Sequence, residues 1–351
     1  MAKEAWYLNE SEADDYQIQI IRKNLQSSFI VKGCAGSGKT VLALWRAAEL
    51  DQSGENDYLI IVFTRALKQF IMDGITHIGL DSSKVMYHWQ WKDAGFPSAD
   101  YIIVDEVQDF DEEEIFQIQN AANKHLILFG DSAQQIYAGI KENLLTMEQI
   151  HLTTRVPIEN LVINHRLPKK IARVAQIISN SQDQLVERCK KEGVNKPRLI
   201  KCSSYDDQLN YIKDVVVSNE YTDVGILFPS NDDVKSAYNY YTKIGWNVER
   251  KDGYGRGAMN LNFGTDNPKL MTYHSAKGLQ FEAVFLPNFQ LENKNLNARY
   301  VAITRSYRDL FVLYAEVTSP FDGIVEESLI EIIDAIDYKK DVSDVDDDLP
   351  F

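Results

Sequence analysis

Gly33-Cys34-Ala35-Gly36-Ser37-Gly38-Lys39-Thr40 follows a short apolar run, Ser28-Phe29-Ile30-Val31-Lys32, and precedes Val41-Leu42-Ala43-Leu44-Trp45-Arg46-Ala47-Ala48-Glu49-Leu50. The first flank reads as a buried strand and the second as a helix. Strand, glycine-rich turn, Lys-Thr and helix, in that order, make a phosphate-binding loop. Gly33, Gly36 and Gly38 let the backbone turn tightly, so that consecutive N–H groups point at phosphate oxygens. The helix that starts there adds the positive end of its dipole. Lys39 can reach the β- and γ-phosphates of a nucleotide, and the Thr40 hydroxyl can ligand Mg²⁺. With Ser37, these residues are the candidate nucleotide cradle.

Asp57 to Phe63 reads as a second buried strand, with Thr64 placed to cap the helix that follows. Lys84 to Trp91 reads as a short strand running into a turn, and His88 in it is a candidate nucleic-acid contact. Tyr101-Ile102-Ile103-Val104 is a third buried strand, ending in Asp105-Glu106-Val107-Gln108-Asp109. Carboxylates at the carboxyl end of such a strand lie where α/β sheets bind ligands. Asp105 is the candidate Mg²⁺ residue, and Glu106 the candidate base for an attacking water. Asp111-Glu112-Glu113-Glu114 is expected to be a solvated acidic loop. Lys124 to Phe129 is a fourth strand, leading into Gly130-Asp131-Ser132-Ala133-Gln134-Gln135-Ile136-Tyr137.

A second unit of the same kind is expected from Arg155 onward. Its strands are expected at Leu161–Asn164, Pro197–Lys201, Val224–Phe228, Lys269–Thr272, Phe281–Leu286 and Asp309–Tyr314. Its helices are expected at Pro168–Ser179, Asp206–Val217, Asn231–Ile244, Asn295–Arg305 and Glu326–Ile336. Alternation of this kind gives mostly parallel sheets covered by helices on both faces. The expected layout is an N-terminal domain over 1–154, a C-terminal domain over 155–336 and an acidic disordered tail over 337–351.

At 351 residues and 44% hydrophobic content the chain can fill two ordinary cores. No apolar run approaches the ~20 residues of a membrane span, so no membrane partner is expected. The first residues, Met1-Ala2-Lys3-Glu4-Ala5-Trp6, carry no apolar signal region. The three cysteines, Cys34, Cys189 and Cys202, show no metal-ligand spacing, and a reducing cytoplasm is the expected compartment. A net charge of −15 argues against a protein that coats nucleic acid, although a local basic track is compatible with it.

The succession of motifs from Gln17 to Tyr314 resembles the UvrD/Rep-like branch of superfamily 1 helicases. That resemblance implies two RecA-like domains with ATP and Mg²⁺ bound at the cleft between them. It places Gln17 on the adenine and makes Phe63-Thr64 a contact to nucleic acid. Asp105 to Asp109 is similar to the family's acidic motif, and Gly130-Asp131 with Gln134 to the segment that couples the γ-phosphate to nucleic acid. Asn164-His165-Arg166 and Val301-Ala302-Ile303-Thr304-Arg305 resemble the two segments that bring Arg166 and Arg305 to the γ-phosphate. His274-Ser275-Ala276-Lys277-Gly278-Leu279-Gln280-Phe281 resembles a further motif, implying His274 at the nucleic acid and Gly278 near the nucleotide. The implied catalytic set is Lys39, Glu106, Gln134, Arg166 and Arg305.

Three departures bear on function. The intervals Thr64–Asp105 and Arg166–His274 are too short for the family's large inserted domains. Tyr137 stands where a stacking tryptophan follows the Gln134 segment in the family. His165 replaces the aromatic that stacks on adenine. The expected activity is an ATP-driven single-stranded-DNA translocase or helicase, with RNA as the other candidate strand. The alternative is a nucleotide-gated clamp that regulates a repair, recombination or phage-conflict partner without unwinding. The end of the chain, Asp346-Asp347-Asp348-Leu349-Pro350-Phe351, resembles the acidic tip of bacterial single-stranded-DNA-binding protein. This implies docking to that protein's partners through Phe351 and the aspartates; a solvating tail and self-inhibition are the other readings.

Overall fold

A computed structural model describes residues 13–137, 141–179, 184–251, 261–291, 296–315 and 318–335. The chain divides into two units. The first comprises residues 1–167, 183–191 and 277–279, and the second the remainder.

The first unit holds strands β1 (Phe29–Gly33), β2 (Tyr58–Val62), β3 (Val85–Tyr87), β4 (Ala99–Asp105), β5 (Ala122–Gly130) and β6 (Ile158–Leu161). They form one sheet in the order β3-β2-β4-β5-β1-β6, with every pairing parallel. Its helices are α1 (Asp15–Ile21), α2 (Lys39–Gln52), α3 (Arg65–Ile78), α4 (His88–Asp93), α5 (Glu112–Ala121) and α6 (Met147–Thr154). Parallel pairing puts the carboxyl ends of all six strands along one edge. The glycine loop after β1 and the carboxylates after β4 therefore share that edge, separated by β5. Ile30, Val104 and Leu128 of the sheet pack with Val107, Phe110, Ile115 and Ile118 in a core closed to solvent. Strands buried on both faces need this unbroken apolar composition. Thr64 caps α3, its hydroxyl oxygen accepting from Leu67 N at 3.0 Å. β6 follows the expected boundary at residue 154 yet pairs with β1.

The second unit holds β7 (Arg198–Lys201), β8 (Val224–Phe228), β9 (Glu249–Lys251), β10 (Lys269–Thr272), β11 (Phe281–Leu286), β12 (Ser306–Tyr314) and β13 (Glu331–Asp334). Their order is β13-β7-β12-β11-β8-β10-β9, again parallel throughout. Helix α7 (Lys169–Ile178) opens this unit; the short α8 (Leu185–Arg188) belongs to the first. Helices α9 (Tyr205–Ser218), α10 (Asn231–Lys243) and α11 (Leu296–Ile303) follow. Phe285 and Phe311 stack at 4.4 Å, in a core with Leu209 and Ile212 of α9 and Val234, Ala237 and Tyr241 of α10. The expected fold class, two RecA-like α/β units each built on a parallel sheet, is the one observed.

Three local expectations are corrected. Asp111–Glu114 is no solvated loop: Asp111 caps α5, and Glu114 is buried in its first turn. The expected strand at Leu161–Asn164 lies earlier, as β6. The expected helix Glu326–Ile336 is a single 3₁₀ turn, Glu327–Leu329, followed by β13, because pairing with β7 satisfies a backbone that its isoleucines allow to extend. The tail, with Asp346, Asp347, Asp348 and Phe351, lies outside the described residues. Among the described residues no helix is long and apolar enough to cross a membrane.

Candidate active site

The loop after β1 turns through left-handed backbone at Gly36 (φ 79°) and Gly38 (φ 91°). A Cβ at Gly36 would stand 2.4 Å from Asn164 Oδ1, and one at Gly38 would stand 2.9 Å from Gln17 Nε2. Lys39 is buried, and its ammonium donates to the carbonyls of Gly33 at 2.8 Å and Cys34 at 3.1 Å. The Cys34 thiol is buried inside the loop, and burial pushes it up to about 12, so it stands there as a small neutral group.

Thr40 Oγ1 donates to Asp105 Oδ2 at 2.6 Å, which brings the end of β4 to the start of α2. Asp105 is fully buried. Burial, then the neighbouring Glu106 charge, push its carboxyl up to about 6, with Thr40 and Lys39 pulling the other way. Glu106 adopts left-handed backbone (φ 56°), a conformation costly for a side-chain-bearing residue and tolerated where its neighbours fix it. Gln108 supplies part of that fixing. Its amide nitrogen donates to Glu106 Oε2 at 2.5 Å, and its Oε1 accepts from Asp131 N at 3.0 Å. Asp131 Oδ2 in turn accepts from Gln134 Nε2 at 2.8 Å. One buried glutamine thus joins the acidic segment to the Gln134 segment.

Lys277, in the part of the sequence that returns to the first unit, closes this network. Its ammonium donates to Asp109 Oδ1 and Oδ2 at 2.7 and 2.6 Å and to the Gln134 carbonyl at 2.5 Å. It also lies 3.5 Å from Glu106 Oε2. Burial pushes the Asp109 carboxyl up, and the Lys277 ammonium pulls it back. Gly278 has φ 81°, and a Cβ on it would stand 2.9 Å from Leu67 of α3, so close packing accounts for that glycine.

Gln17 is buried and bound on both sides of its amide. Nε2 donates to Ser37 O at 3.0 Å, and Oε1 accepts from Asp14 N at 3.1 Å in the capping box of α1. Asp14 Oδ2 meets His165 Nε2 at 2.6 Å. Asn164 donates from Nδ2 to Ala35 O, while its Oδ1 accepts from the backbone N–H of Arg166 and Leu167 at 3.0 and 2.9 Å. His165 N donates to Gly36 O at 3.1 Å. The Asn-His-Arg segment is therefore fastened to the glycine loop, with Arg166 at its end.

Away from the loop, Phe63, His88, Phe110 and Tyr137 form an aromatic cluster. Phe63 stacks on His88 at 5.2 Å with 12° between planes, and Tyr137 lies 4.9 Å from Phe63. His88 is buried, with Nε2 at 2.6 Å from Glu114 Oε1. Lys141 binds Glu114 Oε2 and sits 5.3 Å over the Phe63 ring. In the second unit, Arg305 is buried, donating from Nε to Val301 O at 2.8 Å and from NH2 to Thr304 Oγ1 at 3.0 Å. His274 follows β10 and is half-buried.

The residues present fit a nucleotide and Mg²⁺. Ser37 Oγ is buried and without a hydrogen-bond partner in the loop, and the glycines leave room only for backbone. The Thr40–Asp105 oxygen pair suits a hard cation. Among the described residues no group of three or more His, Cys, Asp or Glu is placed to hold a metal; Mg²⁺ coordinated largely by phosphate and water needs only one or two protein oxygens.

The structure gathers Gln17, Gly33, Gly36, Ser37, Gly38, Lys39, Thr40, Asp105, Glu106 and Gln134 into one hydrogen-bonded neighbourhood of the first unit. Sequence reasoning did not single out Asn164, Gln108, Asp109 or Lys277. Each stood inside a quoted motif and has an apolar neighbour on one side only, so the local sequence alone carried no clear signal of a buried polar group.

Residues 17–140, about a third of the chain, match the family model described as an AAA domain. The fold is similar to that of the C-terminal domain of a possible DNA helicase from Lactobacillus plantarum WCFS1 (18% identity, TM-score 0.38), over 48% of this chain and 98% of that one. It is also similar to PRRSV helicase (16%, TM-score 0.46), over 88% of this chain and 55% of that one. Arterivirus nonstructural protein 10, a helicase, gives 16% identity and a TM-score of 0.46, over 89% of this chain and 64% of that one. This chain thus spans less than two thirds of the length of both viral proteins. No curated protein matches it.

Proposed function

We propose that this chain hydrolyses ATP, stimulated by single-stranded nucleic acid, and uses the cycle to move along the strand. The observation that carries the proposal is the arrangement at the carboxyl edge of the first sheet. There a glycine loop opens α2, Thr40 is bonded to Asp105, and Glu106 is fixed beside them by Gln108 and Lys277.

In this reading the loop N–H groups, Lys39 and the amino end of α2 bind the phosphates. Thr40 and Asp105 hold Mg²⁺, which when bound neutralises phosphate charge. Glu106 accepts the proton of the attacking water at a carboxylate oxygen. Gln17 binds the adenine, and Gln134 reports the γ-phosphate to the strand. Arg166 and Arg305 stabilise charge on the γ-phosphate; an arginine in that role contributes about 10³–10⁵ in rate. Phe63, Thr64, Tyr137 and His274 line the strand, with His88 supporting Phe63 from beneath. Single-stranded DNA is the proposed substrate, and the cytoplasm the proposed compartment. The acidic tail, through Phe351, is the proposed contact to partner proteins.

The test is ATP hydrolysis with and without single-stranded DNA, alongside Glu106→Gln. Strand-stimulated hydrolysis that falls by about 10²–10⁴ in the variant is the expected outcome. Hydrolysis indifferent to DNA would overturn the translocase reading and favour a clamp activated by a partner protein.

A further inference from the structure

Tyr137, Phe63 and His88 form a run of rings with successive centroids 4.9 and 5.2 Å apart, and a fourth ring continues it. Trp89 lies 5.2 Å from His88, tilted by 45°. The burial along this run is graded. His88 is 3% exposed, whereas Trp89 is 56% exposed. Trp91, two residues on, is fully buried and bonded through Nε1 to Pro97 O at 3.0 Å. The exposure of Trp89 is thus a property of its position in α4 and does not come from a loosely packed helix. His88 is enclosed by Phe63, Phe110 and Glu114 and has no face to offer a base. The indole beside it does.

The surroundings of Trp89 are cationic in a chain of net charge −15. Lys92 Nζ sits 5.4 Å over its ring and 3.8 Å from Glu114 Oε1, a carboxylate that Lys141 also binds. Lys68 Nζ bonds Gln90 Oε1, on the residue after Trp89, at 2.7 Å. Burial first, and then the nearby Arg65 charge, push the Lys68 ammonium down. An exposed flat aromatic with two or three cations around it matches one repeat of a single strand: a base to stack and a phosphate to neutralise.

We infer that Trp89 is a base-stacking platform for single-stranded nucleic acid, with Arg65, Lys68 and Lys92 contacting the flanking phosphates. The inference rests on the nucleic-acid reading above and adds a base-stacking site to it. Stacking reads no sequence and does not require a 2′-hydroxyl, so oligo(dT) and oligo(U) are both suitable probes.

The experiment is fluorescence anisotropy of labelled oligo(dT) and oligo(U) with the full chain, Trp89→Ala, Trp89→Phe and Lys92→Ala, across a salt series. Trp89→Ala is expected to weaken binding about 5- to 150-fold, the range for loss of one base–aromatic stack, with an unchanged slope against salt. Trp89→Phe retains most of the affinity. Lys92→Ala lowers the salt slope by about one. Equal weakening on both oligomers supports the site for DNA and RNA alike, and weakening on one alone supports it for that strand. If the parent binds and Trp89→Ala binds equally well, the inference is overturned while the nucleic-acid reading stands. If the parent binds neither oligomer, that reading falls and the inference with it. Thermal denaturation of Trp89→Ala coinciding with that of the parent secures the comparison.

Discussion

Gly36 and Gly79 share a backbone conformation, φ 79° and φ 82°, and differ in everything around it. Nothing lies within 4 Å of a Cβ placed on Gly79, at the end of α3, whereas one on Gly36 would stand 2.4 Å from Asn164 Oδ1. Gly79→Ala therefore costs only the left-handed backbone term, about 1–2 kcal/mol. Gly36→Ala costs that plus displacement of Asn164, whose side chain fastens the Arg166 segment to the loop. Thermal unfolding should show the second variant less stable by at least about 1 kcal/mol more than the first. Nucleotide affinity should fall in Gly36→Ala alone. Similar losses in both would mean that Asn164 yields freely and is no clamp. The same pair shows what a sequence conveys. The need for glycine at 36 is legible from the loop pattern, but the neighbour that enforces it lies 128 residues away and is not.

Helices α4 and α5 are joined through one carboxylate. Glu114 Oε1 meets His88 Nε2 at 2.6 Å, and Oε2 accepts from Lys141 and from Asp111 N at 3.1 Å. Burial raises this carboxyl, but the His88 and Lys141 hydrogen bonds outweigh it and hold it down at about 2. A carboxylate lowered on folding contributes stability that is present above its unfolded value, near 4.5, and is lost as pH falls towards 2. After discounting for solvent screening that contribution is about 1–2 kcal/mol. Glu114→Gln should accordingly be less stable than the parent by about that much at pH 7. Chemical denaturation should show the gap narrowing as pH falls from about 4.5 towards 2. A gap that stays constant with pH would assign the loss to packing. The acidic run Asp111–Glu114 conceals all this in the sequence, because composition alone makes a solvated loop of it. The capping box of Asp111 and Glu114 was the available cue. The misplaced strand and final helix have a similar origin. By composition 158–164 and 330–333 can extend or coil, and pairing decides: β1 takes 158–161 and β7 takes 331–334.

Charge is unevenly spread along the chain. Between Arg166 and Lys201 the chain carries ten basic residues against three acidic ones, while its last eleven residues carry five aspartates and no base. The overall −15 is thus the sum of a basic stretch, an acidic end and an acidic remainder. A polyanionic strand approaching the protein meets the whole field, not only the residues it touches, and at low salt that field extends well beyond contact distance. Removing residues 341–351 takes five negative charges away, leaving a net charge of about −10 by the same count. The truncated chain should bind oligo(dT) more tightly than the full chain at about 50 mM salt and nearly equally at about 200 mM. An unchanged affinity at low salt would mean that the tail keeps away from the strand's path. That result would leave docking to another protein as its role, to be tested by removing Phe351 alone and following capture of a partner. A tail that instead competed through a specific aromatic contact would show the opposite pattern, with the Phe351 deletion reproducing the truncation at every salt concentration.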